Sequence, residues 1–304
     1  MGERSTGAVQ KLISMGLVNA DTEVLSSHNN LIMKSPSERV VYRIAEIASM
    51  LSREDPGNLH YSHEAAWVSA DVAPVVRPIN RRPVEDEGFI VSSYPERQQI
   101  DWTNHDPKNA LDTILELNNS LGYVSSAMEL RTIDIPSYSL SRLDFAAASE
   151  GTKDSRSLDI VKRIFEKHST EYPFYELLDA DMGLVHGDLH ATNLVRNDAG
   201  GAELIDMDSL SIGPKTYDIA SWRVRHELGD IAPVDIMLEM RRLDGDWNED
   251  LFRSLMGWKI ISSMTHVIRY EQNHLKIPDR VRQLGEVGLK LKSLTFYPEE
   301  IGDL

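Results

Sequence analysis

Residues 186–193 carry the residue types and the spacing that phosphoryl transfer requires. In this stretch, Asp188 is followed by a leucine, three further positions and Asn193. This is the spacing of a catalytic aspartate and a metal-binding asparagine in a kinase catalytic loop. Transfer of a γ-phosphoryl group depends mainly on positioning the acceptor and neutralising charge on the phosphate oxygens, so a few oxygen-bearing side chains can perform it.

Three such side chains are candidates for positioning the acceptor and binding the metal. Asp188 would orient the acceptor hydroxyl and accept its proton. Asn193 and Asp206, thirteen residues further on, would hold Mg²⁺, a hard cation that prefers oxygen ligands. We therefore predict a catalytic role for Asp188 and metal ligation by Asn193 and Asp206. Asp208, two residues beyond, is a further candidate for contact with the metal or the substrate.

The chain between the two predicted metal ligands has the pattern of a β-hairpin. Short β-prone runs at residues 194–196 and 203–205 flank the polar, glycine-rich turn at 197–201. A hairpin with these strands would bring Asn193, at its entry, close to Asp206, at its exit.

The segments 186–193, 205–206 and 213–220 resemble the aminoglycoside phosphotransferase and choline kinase superfamily. The resemblance implies a protein-kinase-like α+β fold with a small, β-rich N-terminal lobe and a larger, mostly helical C-terminal lobe. It also implies transfer of phosphate from ATP or GTP to a small-molecule hydroxyl. Asp218 would be a buried residue that braces the catalytic loop from the start of a helix, and we expect His186 to shape that loop.

A protein kinase is a weaker interpretation of the same motifs. Only eleven residues separate Asp206 from Asp218. A protein kinase carries an activation segment in this interval, ending in an Ala-Pro-Glu element that the chain lacks. The platform for a peptide substrate is therefore missing, which favours a small-molecule acceptor.

A length of 304 residues suits two lobes, which we place at residues 1–94 and 95–304. The first lobe would bind the nucleotide through a strand, a polar loop and a second strand at residues 24–33. Its loop offers the hydroxyls of Ser26 and Ser27 and the ring of His28 to phosphate oxygens. The loop contains no glycine, which departs from the usual kinase pattern and makes a close backbone approach harder.

Arg43 occupies the position where kinases carry a lysine on the third strand. A guanidinium group stays charged and binds phosphate through two donors, so arginine can fill this role, with Lys34 as the alternative. The usual partner of this cation is a helix glutamate, and Glu64 is the candidate in residues 62–68.

Residues 88–96 form an apolar strand that ends in a polar, proline-containing connection, the pattern of a hinge beside the nucleobase. Ser92 and Tyr94 are the predicted contacts there. Beyond the hinge, apolar periodicity predicts a long helix whose face from 251 to 268 belongs to the core. Shorter helices are predicted at 106–121, 139–148 and 158–166.

Composition narrows the classes of function. The net charge of −16, from 48 acidic and 32 basic residues, disfavours nucleic acid as a partner. With no cysteine, disulfides and thiolate metal sites are excluded. The sequence shows neither an apolar signal region nor a stretch long enough to span a bilayer, so we expect a soluble, cytoplasmic protein without a membrane partner.

An acidic surface can concentrate a cationic substrate, which favours an amino sugar, an aminoglycoside or another basic antibiotic as acceptor. A metabolic kinase acting on choline, a sugar or an amino alcohol is the alternative. A nucleotide-binding pseudokinase is the second alternative, suggested by the missing glycines and by Arg43. The choice between ATP and GTP and the oligomeric state remain open.

Overall fold

The computed structural model describes residues 3–27, 31–46, 57–102, 107–148, 154–179, 181–229, 248–271 and 274–294. By compactness the chain divides into two units. The first unit comprises residues 1–101, 115–130 and 192–210, and the second comprises 102–114, 131–191 and 211–304. The border between lobes at residues 94 and 95 stays a prediction.

An antiparallel five-stranded sheet, in the order β1-β2-β3-β5-β4, forms the centre of the first unit. Its strands are β1 (Glu23–Ser27), β2 (Leu31–Ser35), β3 (Val40–Glu46), β4 (Val84–Asp86) and β5 (Phe89–Pro95). Helices α1 (Glu3–Ser14) and α2 (Gly57–Ser69) belong to the same unit. The apolar core that sheet and α1 share includes Leu12, Met33 and Phe89, all buried. The two strands predicted within residues 24–33 are confirmed as β1 and β2.

A second, three-stranded sheet in the first unit contains the predicted hairpin. Strands β9 (Leu194–Arg196) and β10 (Ala202–Leu204) pair antiparallel, and β6 (Gln98–Gln99) pairs with β9. Asn197 closes the turn because its side-chain oxygen accepts the amide protons of Ala199 and Gly201, at 3.0 and 2.8 Å. Helix α4 (Leu121–Ala127) lies in this unit, and α3 (Pro107–Asn119) has residues in both.

The second unit is mainly helical. Its helices are α5 (Ile135–Ala148), α6 (Ser155–Glu171), α7 (Tyr217–Glu227), α8 (Glu249–Tyr270) and α9 (Ile277–Lys290). A small sheet, in the order β7-β11-β8, is built from β7 (Arg131–Thr132), β8 (Met182–Val185) and β11 (Ser211–Pro214). Strand-rich chain at the N-terminal end and helices at the C-terminal end confirm the α+β class.

Helix α8 is the central helix of the second unit, since α5, α6, α7 and α9 all pack against it. Asn248 caps its start by accepting the amide protons of Asp250 and Leu251. The predicted apolar face is confirmed: Trp258 is fully buried and meets the rings of Phe165 and Phe174 edge to face. None of the described helices combines the length and the apolar character needed to cross a membrane.

Candidate active site

The two predicted metal ligands lie together at the open end of the β9–β10 hairpin. The amide of Ile205 donates to the carbonyl oxygen of Asn193 at 3.0 Å, which continues the strand pairing beyond Leu194 and Leu204. Asp206 follows directly, with a left-handed backbone (φ 65°, ψ 58°). A residue other than glycine is uncommon in this region, and such strain often marks a functional position. The hairpin therefore brings Asn193 close to Asp206, as predicted.

The donor atoms at this position suit Mg²⁺. Asn193 brings an amide oxygen and Asp206 a carboxylate whose side chain is 48% exposed. Mg²⁺ keeps several waters and takes one or two protein oxygens together with substrate phosphates. Within the described ranges, no group of three or more His, Cys, Asp or Glu side chains could hold a metal ion. The two oxygen donors therefore fit an ion that binds together with a nucleotide.

Arg43 links the predicted phosphate-binding cation to this metal position. Its Nη1 donates to Oδ1 of Asp206 at 2.8 Å and to Oδ1 of Asp208 at 2.5 Å, and its Nη2 pairs with Oδ2 of Asp208. The side chain is only 13% exposed. Burial opposes its charge, but Asp208 and then Asp206 outweigh burial and raise the pKa of Arg43 above its ordinary value. A phosphate bound at Asp206 would thus lie within reach of a permanent cation.

The predicted pairing of Arg43 with Glu64 is wrong. Arg43 is paired by the carboxylates of Asp206 and Asp208, and helix α2 faces it with Ser62, whose hydroxyl accepts from Nη1 at 3.4 Å. Successive helix residues are about 100° apart, so Glu64 points away from the face that Ser62 presents. Glu64 is accordingly exposed. Asp208 takes the role expected of the helix glutamate.

The predicted phosphate loop is described only in part. Ser26 and Ser27 lie at the end of β1, which has a register irregularity between Val24 and Ser26. Ser26 is half-buried, whereas His28 lies outside the described residues. Contact of these three residues with phosphate stays a prediction.

The hinge strand β5 runs beside β3 and pairs Ser92 with Arg43. Ser92 is fully buried, with its hydroxyl 3.0 Å from Nδ1 of His63. Tyr94 is half-buried, and burial is the main cause that raises its pKa to about 12. The side chain of Ser92 therefore faces the interior of the first unit. Nucleotide binding by Ser92 and Tyr94 remains a prediction.

In the second unit, Asp218 braces the loop that carries Asp188. It is fully buried near the start of α7, where its two carboxylate oxygens accept the amide protons of His186 at 2.7 Å and Gly187 at 2.9 Å. Burial raises the pKa of Asp218, while the neighbouring ring of His186 and the two amide bonds oppose that rise. Gly187 has a φ of 84°, which residues with a side chain rarely adopt. The supporting role expected of Asp218 matches this geometry.

Two further contacts hold the loop around Asp188. The amide of Asp188 donates to Nδ1 of the fully buried His186 at 3.4 Å. The hydroxyl of Ser221, on α7, donates to the carbonyl oxygen of Leu189 at 3.2 Å. His186 thus contacts the loop from within, and its role in shaping the loop stays a prediction.

The carboxylate of Asp188 lies among three basic groups. Lys259 on α8 places Nζ 2.8 Å from Oδ1, and Arg225 on α7 places Nη2 3.5 Å from the same oxygen. His190 lies 4.0 Å from Oδ2. Burial would raise the pKa of Asp188, but Lys259 and Arg225 outweigh it and hold that pKa well below its usual range. Asp188 is therefore ionised at neutral pH.

Lys259 and Arg225 are site residues that the sequence motifs do not identify. Lys259 follows Leu255 by four residues on a helix and therefore belongs to the apolar face of α8. A lysine on a core face is rarely buried without a partner, so its position is a usable signal. Arg225 offers no such signal, since a basic residue in the last turn of a helix is common.

The sequence of residues 34–249 matches the family described as "Phosphotransferase enzyme family". No curated protein matches the chain by sequence.

Solved structures of small-molecule kinases share the fold over nearly the whole chain. The amicoumacin kinase hAmiN, in complex with AMP-PNP, Ca²⁺ and Ami, has 12% identity and a TM-score of 0.64, with coverage of 97% of this chain and 98% of that one. The choline kinase LicA from Streptococcus pneumoniae has 14% identity and a TM-score of 0.64, with coverage of 95% and 100%.

The aminoglycoside phosphotransferase APH(3'')-Id from Streptomyces rimosus is also similar. It has 13% identity and a TM-score of 0.61, with coverage of 84% of this chain and 98% of that one. These similarities confirm the kinase-like, two-lobed fold class, and the family match covers more than half of the chain. The chain therefore belongs to the phosphotransferase enzyme family.

Proposed function

We propose that this enzyme transfers the γ-phosphate of ATP or GTP to a hydroxyl group of a small molecule, with Mg²⁺ as cofactor. The observation that carries the proposal is the bond from the amide of Ile205 to the carbonyl oxygen of Asn193, which brings Asn193 close to Asp206. In the sequence, Asn193 follows the braced and ionised Asp188 by five residues. A bound Mg²⁺ would neutralise charge on the phosphate oxygens. Asn193 and Asp206 would hold it.

The chain's own residues perform the remaining steps. Arg43 would bind phosphate oxygens next to the metal position, while Asp208 keeps the guanidinium in place. Asp188 would orient the acceptor hydroxyl and receive its proton as the new bond to phosphorus forms. The amide bonds to Asp218 keep the loop rigid, so that Asp188 needs no rearrangement at the moment of reaction.

The nucleotide would be held between β1 and the hinge. Backbone amides and hydroxyls at Ser26, Ser27 and His28 are proposed to meet the phosphates, and the strand at Ser92 and Tyr94 to meet the base. The presence of AMP-PNP in the complex of the amicoumacin kinase supports a nucleotide donor. The cytoplasm, which supplies ATP and GTP, is the proposed site of action.

For the acceptor, the net charge of −16 supports a cationic molecule, such as an amino sugar, an aminoglycoside or another basic antibiotic. Resistance to such an antibiotic would be the biological consequence. A metabolic acceptor such as choline, a sugar or an amino alcohol is the second candidate, and similarity of the fold to LicA supports it. Because Asp188 already binds two cations, ammonium groups of an acceptor would have to bind other carboxylates.

A phosphate-transfer screen tests the proposal. Purified enzyme with Mg²⁺ and ATP or GTP is incubated with aminoglycosides, basic peptide antibiotics, choline-like amines and simple sugars, and nucleoside diphosphate and phosphorylated acceptor are quantified. Asp188→Asn should lower kcat by about a hundredfold or more, while the affinity for nucleotide stays nearly unchanged. Asp279→Asn, the same change at an ion-paired residue in the first turn of α9, is the matched control and should keep full activity.

Two outcomes would contradict this function. Unchanged turnover in Asp188→Asn would remove the residue on which the mechanism depends. Nucleotide binding without transfer to any acceptor in the screen would favour the pseudokinase instead.

A further inference from the structure

Lys259 lies nearly buried beside the catalytic loop. Its side chain is 9% exposed, and its Nζ donates to Oδ1 of Asp188 at 2.8 Å. An ammonium group removed from water at such a position is costly unless a carboxylate pairs with it. Among the described residues, Asp188 is the carboxylate that does so. The position of Lys259 is therefore tied to Asp188.

The neighbours of Lys259 in the chain also hold its backbone in place. It follows Trp258, whose ring is fully buried and whose Nε1 donates to the carbonyl oxygen of Tyr172 at 3.1 Å. One residue earlier, Gly257 allows the ring of His168 to approach the helix so closely that a Cβ atom would collide with it. The start of the Lys259 side chain is thus fixed by the core of the second unit.

The two cations near Asp188 both lie next to the same oxygen of its carboxylate. Lys259 and Arg225 donate to Oδ1, and Nε2 of His190 lies 4.0 Å from Oδ2. We propose that Lys259 is a positioning residue for the phosphotransferase reaction: its ammonium group binds Oδ1 of Asp188 and fixes the carboxylate in the orientation in which it meets the acceptor hydroxyl. The inference rests on the proposed function.

This arrangement determines how the proton moves. The acceptor oxygen forms a bond to the γ-phosphorus, the bond between that phosphorus and the bridging oxygen breaks, and its electron pair leaves with the nucleoside diphosphate. The hydroxyl proton passes to the carboxylate of Asp188. A carboxylate paired with a cation is a weak base, so the proton moves late, which suits a loose transition state with little early bond formation.

Groups on every neighbouring element contribute to the charge at Asp188. The groups that interact with it electrostatically or by a hydrogen bond include Lys259, Arg225, His190, Tyr217 and His266. Asp218, fully buried on α7, also lies near Lys259. Since Lys259 exerts the strongest of the opposing charges on Asp188, its removal should dominate any change.

The test is Lys259→Met, which keeps an unbranched side chain, one atom shorter, and removes the charge. We expect kcat to fall about a hundredfold, the size of effect that a misplaced catalytic group produces, with nearly unchanged KM for the nucleotide. Lys259→Arg should restore part of the loss because it returns a cation. Lys290→Met is the matched control: Lys290, on α9, also bonds a carboxylate on α7, that of Glu227, and its loss should leave kcat unchanged.

Loss of Lys259 also removes the cation that does most to keep the Asp188 carboxylate ionised. In Lys259→Met, the acidic limb of the pH profile of kcat should therefore move to higher pH. The ¹³C resonance of the Asp188 carboxyl, assigned with Asp188→Asn, should titrate at higher pH in the same variant, and this measurement needs no acceptor. Lys259→Gln replaces Lys259→Met if the latter does not fold.

The outcomes separate the two proposals. If the Lys259 variants turn over an acceptor with unchanged kcat, and the titration of Asp188 is also unchanged, the positioning role is overturned. The proposed function then still stands. A shifted titration of Asp188 in an enzyme that transfers phosphate to no acceptor would support the Lys259 contact and overturn the proposed function.

Discussion

Replacing Asp208 by asparagine removes the carboxylate that binds Arg43 through both of its oxygens. At a separation of about 3 Å and an effective dielectric constant of about 20, the gross Coulomb energy of such a pair is roughly 5 kcal/mol. Desolvation cancels much of it, and Arg43 keeps Asp206 as a partner. We therefore expect Asp208→Asn to lower the free energy of unfolding by about 1–2 kcal/mol.

The same change should affect the metal. Without Asp208, the guanidinium of Arg43 would bind Asp206 more fully and compete there with Mg²⁺. A competition worth about 1.4 kcal/mol would raise the Mg²⁺ concentration for half-maximal activity about tenfold. The KM for the nucleotide should rise as well, because Asp208 then no longer holds the guanidinium of Arg43 in place for phosphate.

Urea unfolding and a Mg²⁺ titration of activity measure the two effects. Glu64→Gln makes the same chemical change at the exposed residue of α2 and should alter the free energy of unfolding by less than about 0.5 kcal/mol. Equal effects of the two substitutions, or a larger effect of Glu64→Gln, would refute the assignment of Asp208 as the partner of Arg43.

Two further predictions concern the second unit. Asp218→Ala leaves the buried amides of His186 and Gly187 without their acceptor. We expect it to lower the free energy of unfolding in urea by about 3–5 kcal/mol and to remove most of the activity. Burial lowers the pKa of His168 from 6.5 to about 4. The folded state therefore has its full stability above pH 6.5, where His168 is neutral, and loses stability as the pH falls towards 4. The loss should approach about 3 kcal/mol. His168→Gln should show a correspondingly flatter dependence of unfolding free energy on pH; parallel curves for the two proteins would contradict this.

The local part of the site could be predicted from sequence. Alternation of β-prone runs with a polar, glycine-rich turn is a short-range signal, and it identified the hairpin that joins Asn193 to Asp206. The spacing around Asp188 likewise indicated the chemistry, because the loop is continuous in the chain. The positions of strands β1, β2 and β5 followed from the same kind of local pattern.

Long-range partners could not be predicted in this way. Arg43 and Asp208 are 165 residues apart, and the preference of Arg43 for Asp208 over Glu64 depends on which face α2 presents to the sheet. The contact of Lys259 with Asp188 depends on how α8 packs within the second unit. Charged residues on otherwise apolar helix faces are the signal that would have indicated such contacts.

The bond between Asp188 and Lys259 spans 71 residues, and this has a consequence during protein synthesis. At about 5–20 residues per second, roughly 4–14 s pass between incorporation of the aspartate and that of the lysine. In this interval the nascent chain carries the catalytic loop without the cation that binds it. The mature arrangement of the carboxylate therefore arises only after translation has passed α8, and a chain still being made cannot hold Asp188 as the folded enzyme does.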